Sequence, residues 1–277
     1  MLRWALLSLT LCCANLRAQV AAPLLEGEAL RVLVALDAKL IEPLSVRAFS
    51  FSYRPQVASA SAATAPSVWR VRYSWREGVG DRVDFVDANE QTSAHVPDAP
   101  EAQRAAALQQ HLGMARGLAG FFRGRTHVQA YEGCRGRVER ETINGIEEVS
   151  VVLEPAERRR VARTVIRLDK RGVPWKLERT MVNGDRVLQH PQYELHGARF
   201  ALQVLQHIET PAVTSVNGSS FAYEFKWQSV EGTMVPASIS KQSKNSAEPG
   251  LGTTDFFEVR LGAAVTEFQP LAPASAR

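Results

Sequence analysis

The chain of 277 residues predicts an α+β fold. The expected form is a large curved antiparallel sheet, an incomplete barrel of about ten strands, with two or three helices covering its concave face. Three observations predict it. Large aromatics alternate with smaller or polar residues in three stretches: Phe49, Phe51 and Tyr53; Trp69, Val71, Tyr73 and Trp75; Phe221, Tyr223, Phe225 and Trp227. Successive side chains of a strand point to opposite faces, so each stretch has one apolar face and one mostly polar face. Asn-Gly pairs at Asn144-Gly145, Asn183-Gly184 and Asn217-Gly218 are hairpin signals, because both residues tolerate positive φ. Helical patterns come early and strands follow consecutively, which argues against an alternating parallel fold.

Residues 1–18 read as a secretory signal peptide. Arg3 gives a positive start, Trp4 to Ala14 is apolar, and Ala18 sits at a cleavage position. The run is too short to span a bilayer, which needs about 20 apolar residues. Cys12 and Cys13 lack the small preceding residue that lipidation would want. Export to the periplasm, or secretion, is the expected location. Removing Arg3 and Arg17 with this segment takes the basic count from 33 to 31 against 29 acidic residues, a net charge of +2. That balance does not point to nucleic acid as a partner. Residues 19–269 form a single expected domain, and 270–277 is a disordered tail rich in Pro and Ala.

Leu24 to Leu44 is the first helical candidate. Leu30, Leu33, Val34, Leu36, Asp37, Leu40 and Ile41 give a mostly apolar stripe, and Pro43 ends it. The strand carrying Phe51 follows. The Ala/Ser-rich segment from Val57 to Ser67 reads as a loop before the strand Trp69–Trp75. A turn through Gly78, Gly80 and Asp81 leads to a strand with Val83 and Phe85. Asp98 and Pro100 then suit a helix start. Glu101 to Phe122 is the second helical candidate, with Gly113, Gly117 and Gly120 predicting a break into two shorter helices. A meander follows, with strands at Glu147–Leu153, Val161–Leu168, Trp175–Val182, Phe200–Ile208, Phe221–Gln228, Val235–Lys241 and Phe256–Leu261. A turn at Asp169–Gly172 separates two of them.

Common catalytic signatures are missing: no G-x-S-x-G, no H-E-x-x-H, no G-x-x-x-x-G-K and no C-x-x-C. An enzyme is not expected, nor any cofactor or metal. His190, His196 and His207 match no standard ligand spacing. Asp81, Asp84, Asp87 and Glu90 interleave with Val83, Phe85 and Val86 as a solvated strand would. Cys134 is the one cysteine left after processing, and a buried inert thiol is its expected state. Arg158, Arg159 and Arg160 read as a solvated turn. The aromatic face is either plain core or the wall of a cavity for an apolar ligand. Its candidate lining is Phe51, Trp69, Tyr73, Trp75, Tyr223, Phe225 and Trp227.

The order of elements resembles the LolA/LolB lipoprotein-carrier superfamily, whose fold RseB-type periplasmic sensors also use. The likeness runs from the signal peptide through the helix Leu30–Ile41 into the aromatic strand Val46–Tyr53, then the helical insertion Glu101–Phe122. It continues in a hairpin meander with Val151-Val152-Leu153-Glu154-Pro155 and the strand and turn from Thr164 to Gly172. The resemblance implies a half-barrel that holds acyl chains of a lipid or lipoprotein. It also implies an envelope lipoprotein or a membrane partner. Two other functions stay open: an envelope-protein interaction or stress-sensor module of RseB type, and an envelope hydrolase using the histidine set.

Overall fold

The computed structural model describes residues 25–41, 45–55, 69–97, 99–143, 145–157, 160–213, 218–243 and 253–268. The expected signal peptide, Pro43, the Ala/Ser segment 57–67, Asp98, Asn144, Arg158, Arg159, Asn217 and the tail 270–277 lie outside the described residues. Helix α1 is Gly27–Lys39. Strands β1 (Ala48–Tyr53), β2 (Arg70–Arg76), β3 (Gly80–Val86) and β4 (Thr92–Ser93) follow. Helix α2 is Arg104–Ala119 and helix α3 is His127–Tyr131. The meander is β5 (Cys134–Ile143), β6 (Ile146–Pro155), β7 (Val161–Leu168), β8 (Pro174–Met181), β9 (Arg186–His196), β10 (Arg199–Thr210), β11 (Ser219–Val230) and β12 (Thr233–Ser243). Strands β13 (Thr253–Asp255) and β14 (Phe257–Leu261) end the order.

The α+β class and the antiparallel pairing are as the sequence predicts. The strands, however, lie in two open sheets. The small sheet has the order β14–β1–β2–β3–β4, and the large one runs β13–β12–β11–β10–β9–β8–β7–β6–β5. The large sheet is a nearest-neighbour meander, so each hairpin turn sets the register of the next pair. At the Asp169 turn the carboxylate accepts the N–H groups of Arg171 (2.9 Å) and Val173 (3.1 Å).

The small sheet departs from the expectation of a solvated polar face. Ser50, Ser52, Ser74 and Asp84 are all buried. Their face is closed by polar contacts to the C-terminal strand and the residues after it. Arg76 donates to the Val265 carbonyl (3.0 Å) and Arg82 to that of Glu267 (3.2 Å). The Ser52 hydroxyl donates to Glu258 (2.8 Å), which also meets Arg70 (3.0 Å) and Arg72 (3.4 Å). Glu258 sits at the β1–β14 bulge with φ +51°. A non-glycine residue in that region is strained, and three polar partners hold it there.

Two clusters of buried side chains organise the molecule. One joins both sheets under α2, with Phe49, Phe51, Tyr73, Ala115, Phe122, Phe225 and Phe256 among its members. The other seats α1 on the large sheet through Leu33, Leu36, Val151, Leu153 and Ile166. The apolar stripe of α1 is narrower than the sequence suggests: Val34 is exposed. Gly136 of β5 admits the helix, since a Cβ there would sit 2.7 Å from the Ala29 Cβ.

Helix α2 is continuous, which corrects the expected break at Gly113–Gly120. Ala115 and Ala119 are fully buried, and Leu108, Leu112 and Leu118 pack on the same cluster. That burial overrides the low helix propensity of the glycines. Helix α3 and strands β4, β5, β9 and β13 are absent from the sequence-based reading. Thr126 caps α3 in a reciprocal capping box with Gln129.

Asp37 explains its own place in an apolar stripe. Its carboxylate accepts the backbone N–H groups of His127 (2.8 Å) and Val128 (3.0 Å) and lies 2.8 Å from the His127 Nδ1. Burial pushes this carboxyl up, but those hydrogen bonds outweigh it and hold it below its ordinary value of 3.8. A carboxyl lowered on folding stabilises the fold fully above its unfolded pKa and loses that effect as pH falls through the folded one. Asp37→Ala should cost about 2 kcal/mol at neutral pH. The deficit, read from urea unfolding, should shrink below about pH 4. A deficit that does not change with pH contradicts this role.

Candidate functional site

Antiparallel partners place their side chains on one face. The register Ile166–Leu177, Leu177–Gln189, Gln189–His207 and His207–Phe221 therefore lays one row across the large sheet. The next row holds Leu205, Tyr223 and Lys241. Helix α1 covers the Ile166 end of this face, and α2 covers the end near Phe225 and Ile239.

An apolar groove of about 320 Å³ opens between α2 and strands β11–β13. Gly113, Met114, Gly117 and Leu118 form its helix side, with Phe121 just beyond, and Tyr223, Ile239, Lys241 and Thr254 form its sheet side. The size falls at the low end of ligand pockets, which span about 300–1,000 Å³. A Cβ on Gly113 or Gly117 would meet nothing within 4 Å. The glycines thus leave room in the groove; they do not serve close packing. The Phe121 ring meets Tyr223 (5.5 Å) and Phe225 (5.4 Å) edge-on and closes the floor. Lys241 holds its ammonium 4.4 Å from the Phe221 ring centroid and 6.0 Å from that of Tyr223. It supplies a positive charge at the rim of an otherwise apolar surface.

The seven aromatic residues singled out from the sequence come together around one cluster, but with different surroundings. Tyr223 lines the groove. Phe51 is fully buried against Phe49, Phe122, Tyr73 and Phe256. Tyr73 is buried and donates to Asp81 (3.3 Å); burial, then the Asp81 charge, pushes its hydroxyl up to about 12. Trp69 meets Phe85 and His111 edge-on. Trp75 lies against Phe49 and under the Arg123 guanidinium, 4.2 Å from the ring. Phe225 is buried beneath Phe121. Trp227 donates its indole N–H to the Leu202 carbonyl (2.8 Å), beside the β9–β10 bulge.

Sequence reasoning missed the helix side of the groove. Gly113 and Gly117 carried a signal, since a spacing of four puts both on one helix face, but they read as helix breakers. The polar clusters separate. His190 pairs with Gln206 and His207 with Gln189, so the two imidazoles occupy opposite faces. Asp81 binds Arg116 (2.6 Å), Asp84 meets Arg82 (2.7 Å), Asp87 caps a turn through Asn89 and Gln91, and Glu90 pairs with Arg70. Cys134 is buried in the second cluster. Among the described residues no group of three or more His, Cys, Asp or Glu is placed to hold a metal.

No protein-family model matches the chain, and a comparison with curated proteins finds no relative. Among solved structures the chain is similar to the complex structure of Pseudomonas aeruginosa MucA/MucB. That match is 11% identical, covers 86% of this chain and 96% of the other, and has a TM-score of 0.22. It is a weak likeness of fold, too loose to transfer a site or a function. No helix among the described residues is long and apolar enough to cross a membrane.

The surroundings predict opposite responses to substitution. Phe51→Ala should destabilise the fold by about 3–5 kcal/mol. Gly117→Ala should stabilise it by roughly 0.5–1 kcal/mol, because the helix gains propensity and the new methyl has space. Urea midpoints at constant m-value check both.

Proposed function

We propose that the protein is an exported binding protein that holds an acyl chain, or a similar apolar segment of a lipid or lipoprotein, in the groove between α2 and strands β11–β13. The observation that carries this reading is the apolar groove kept open by Gly113 and Gly117. The signal-peptide pattern of residues 1–18 supports the periplasm as its location. Helix α2 acts as the cover, and Lys241 gives the ligand a polar anchor at the rim. Affinity comes from apolar burial at about 25 cal/mol per Å², less the cost of ordering the chain. The reading involves no covalent step.

Gly117→Leu tests it, since Gly117 lines the groove and a Cβ there meets nothing within 4 Å. The four added carbons displace about 3 kcal/mol of methylene burial at most. Binding of a fluorescent fatty-acid analogue should weaken by about tenfold or more. Circular dichroism and the unfolding midpoint should stay at or above the wild-type values. Undiminished binding in Gly117→Leu moves the site elsewhere. A wild-type protein that takes up no analogue and co-purifies with no acyl species in native mass spectrometry sinks the reading.

A further inference from the structure

A second cavity, of about 430 Å³, opens on the large sheet where β7–β10 begin or end. It has a different chemistry from the groove. Arg160, Arg179 and Arg186 line it together with Asp185, His207 and Glu209. Which charges are already satisfied decides what it can bind.

Both carboxylates are engaged. Asp185 accepts from the Ala212 N–H (2.9 Å) and the Asn183 amide (2.7 Å). Glu209 accepts from the Ser219 hydroxyl (2.9 Å) and lies 3.0 Å from the His207 Nε2. Those hydrogen bonds hold both carboxyls below the usual range, with the Arg160 charge a smaller contribution to each. The imidazole is engaged as well: its Nδ1 faces the Gln189 amide (3.1 Å), and its ring stacks on Phe221 at 4.5 Å. It forms a fixed wall and has no free ring nitrogen to offer a ligand.

The guanidiniums are not satisfied in the same way. Arg186 reaches Glu178 only at 3.6 Å, and Lys176 shares that carboxylate at 3.3 Å. Among the described residues, no carboxylate lies within 4.0 Å of Arg160 or Arg179, and Arg160 acts on Asp185 and Glu209 only through its charge at longer range. A guanidinium presents a planar fork of donors that fits the oxygens of phosphate and carboxylate groups. Asp185 and Glu209 stay ionised, so three guanidiniums against two carboxylates leave the lining a net charge of +1, and two forks without a carboxylate partner in one concavity fit the oxygens of a phosphate group.

We propose that this cavity binds the phosphate group of a ligand through Arg160 and Arg179. The inference stands on the arginines and the occupied acids, and does not depend on what fills the α2 groove. A free phosphate compound and a phospholipid headgroup present the same chemistry, and the test separates them.

Calorimetric titration with inorganic phosphate at low ionic strength, and co-sedimentation with phosphatidylcholine vesicles with and without phosphatidic acid, should be run on the full chain. The variants are Arg160→Gln, Arg179→Gln and Arg163→Gln. Arg163 pairs with Thr180 and so lies on the opposite face from Arg179. Circular dichroism and thermal midpoints establish that each variant is folded. Phosphate binding that falls about tenfold or more in the first two variants and is unchanged in Arg163→Gln supports the site, with a soluble ligand as the source. The same pattern seen only with phosphatidic acid vesicles supports it, with a headgroup as the source. No binding in either assay overturns the proposal. So does equal loss in all three variants, which would mark unspecific charge attraction.

Discussion

The architecture depends on one aromatic joint. Phe256 is the single residue between β13 of the large sheet and β14 of the small one. Its N–H donates to the Ala237 carbonyl at 2.8 Å, and its ring is buried. That ring meets Phe51 of β1 and Phe122 in the turn after α2, both at 5.1 Å, while Phe51 and Phe122 stack at 4.7 Å. Three segments far apart in sequence are thus fixed by one cluster. Edge-to-face and offset rings contribute beyond their burial, by about 0.5–1.5 kcal/mol per pair. A chain that changes sheets through one residue has no slack, so the angle between the sheets follows from how these rings pack.

The joint also sets the groove. Phe122 is held by Phe51 and Phe256, and its neighbour Phe121 reaches the other way to Tyr223 and Phe225. The C-terminal end of α2 is therefore pinned to both sheets at once. The helix can then tolerate glycines at 113 and 117 that cost about 1 kcal/mol each in propensity. Their absent side chains are the space above Tyr223 and Ile239. Arg116 secures the same helix from its other side by a bidentate pair with Asp81 at 2.6 and 2.9 Å.

Much of the fold was legible because period-two alternation and turn chemistry are local. The three aromatic stretches fall in strands β1, β2 and β11, with Trp69 just ahead of β2, and the Asn183-Gly184 and Asp169–Gly172 signals are the β8–β9 and β7–β8 turns. What alternation cannot encode is the neighbour. Phe51 and Phe225 carry the same pattern yet belong to different sheets, and only long-range packing assigns them. The polar face of β1 and β2 misled for a related reason. Ser52, Arg76 and, on β3, Arg82 read as solvated until Glu258 and residues 265–267, about 200 positions later, arrive to accept their hydrogen bonds. The aromatic residues of the candidate site were visible, but its open half was not. A glycine in a helix reads as lost stability, and it becomes an opening only when the opposite wall is known.

The large-sheet face divides its chemistry according to what covers it. Where α1 and α2 sit, the side chains are Val151, Ile166, Phe225 and Ile239. Between the helices the same rows turn amphipathic: Leu177, Gln189, His207, Phe221 and Lys241. The His207–Phe221 stack stands at the boundary, with Tyr223 5.3 Å beyond Phe221 toward the groove and Glu209 beyond His207 toward the arginines. A strand residue facing partial cover must satisfy apolar neighbours on one side and water on the other. Aromatic rings with polar edges do both. The same requirement places an apolar groove and a cationic cavity on one continuous surface. Gln189, His207, Glu209 and Ser219 are tied in one hydrogen-bonded chain on the arginine side of that boundary, so the polar groups of the shared surface satisfy one another where no helix covers them.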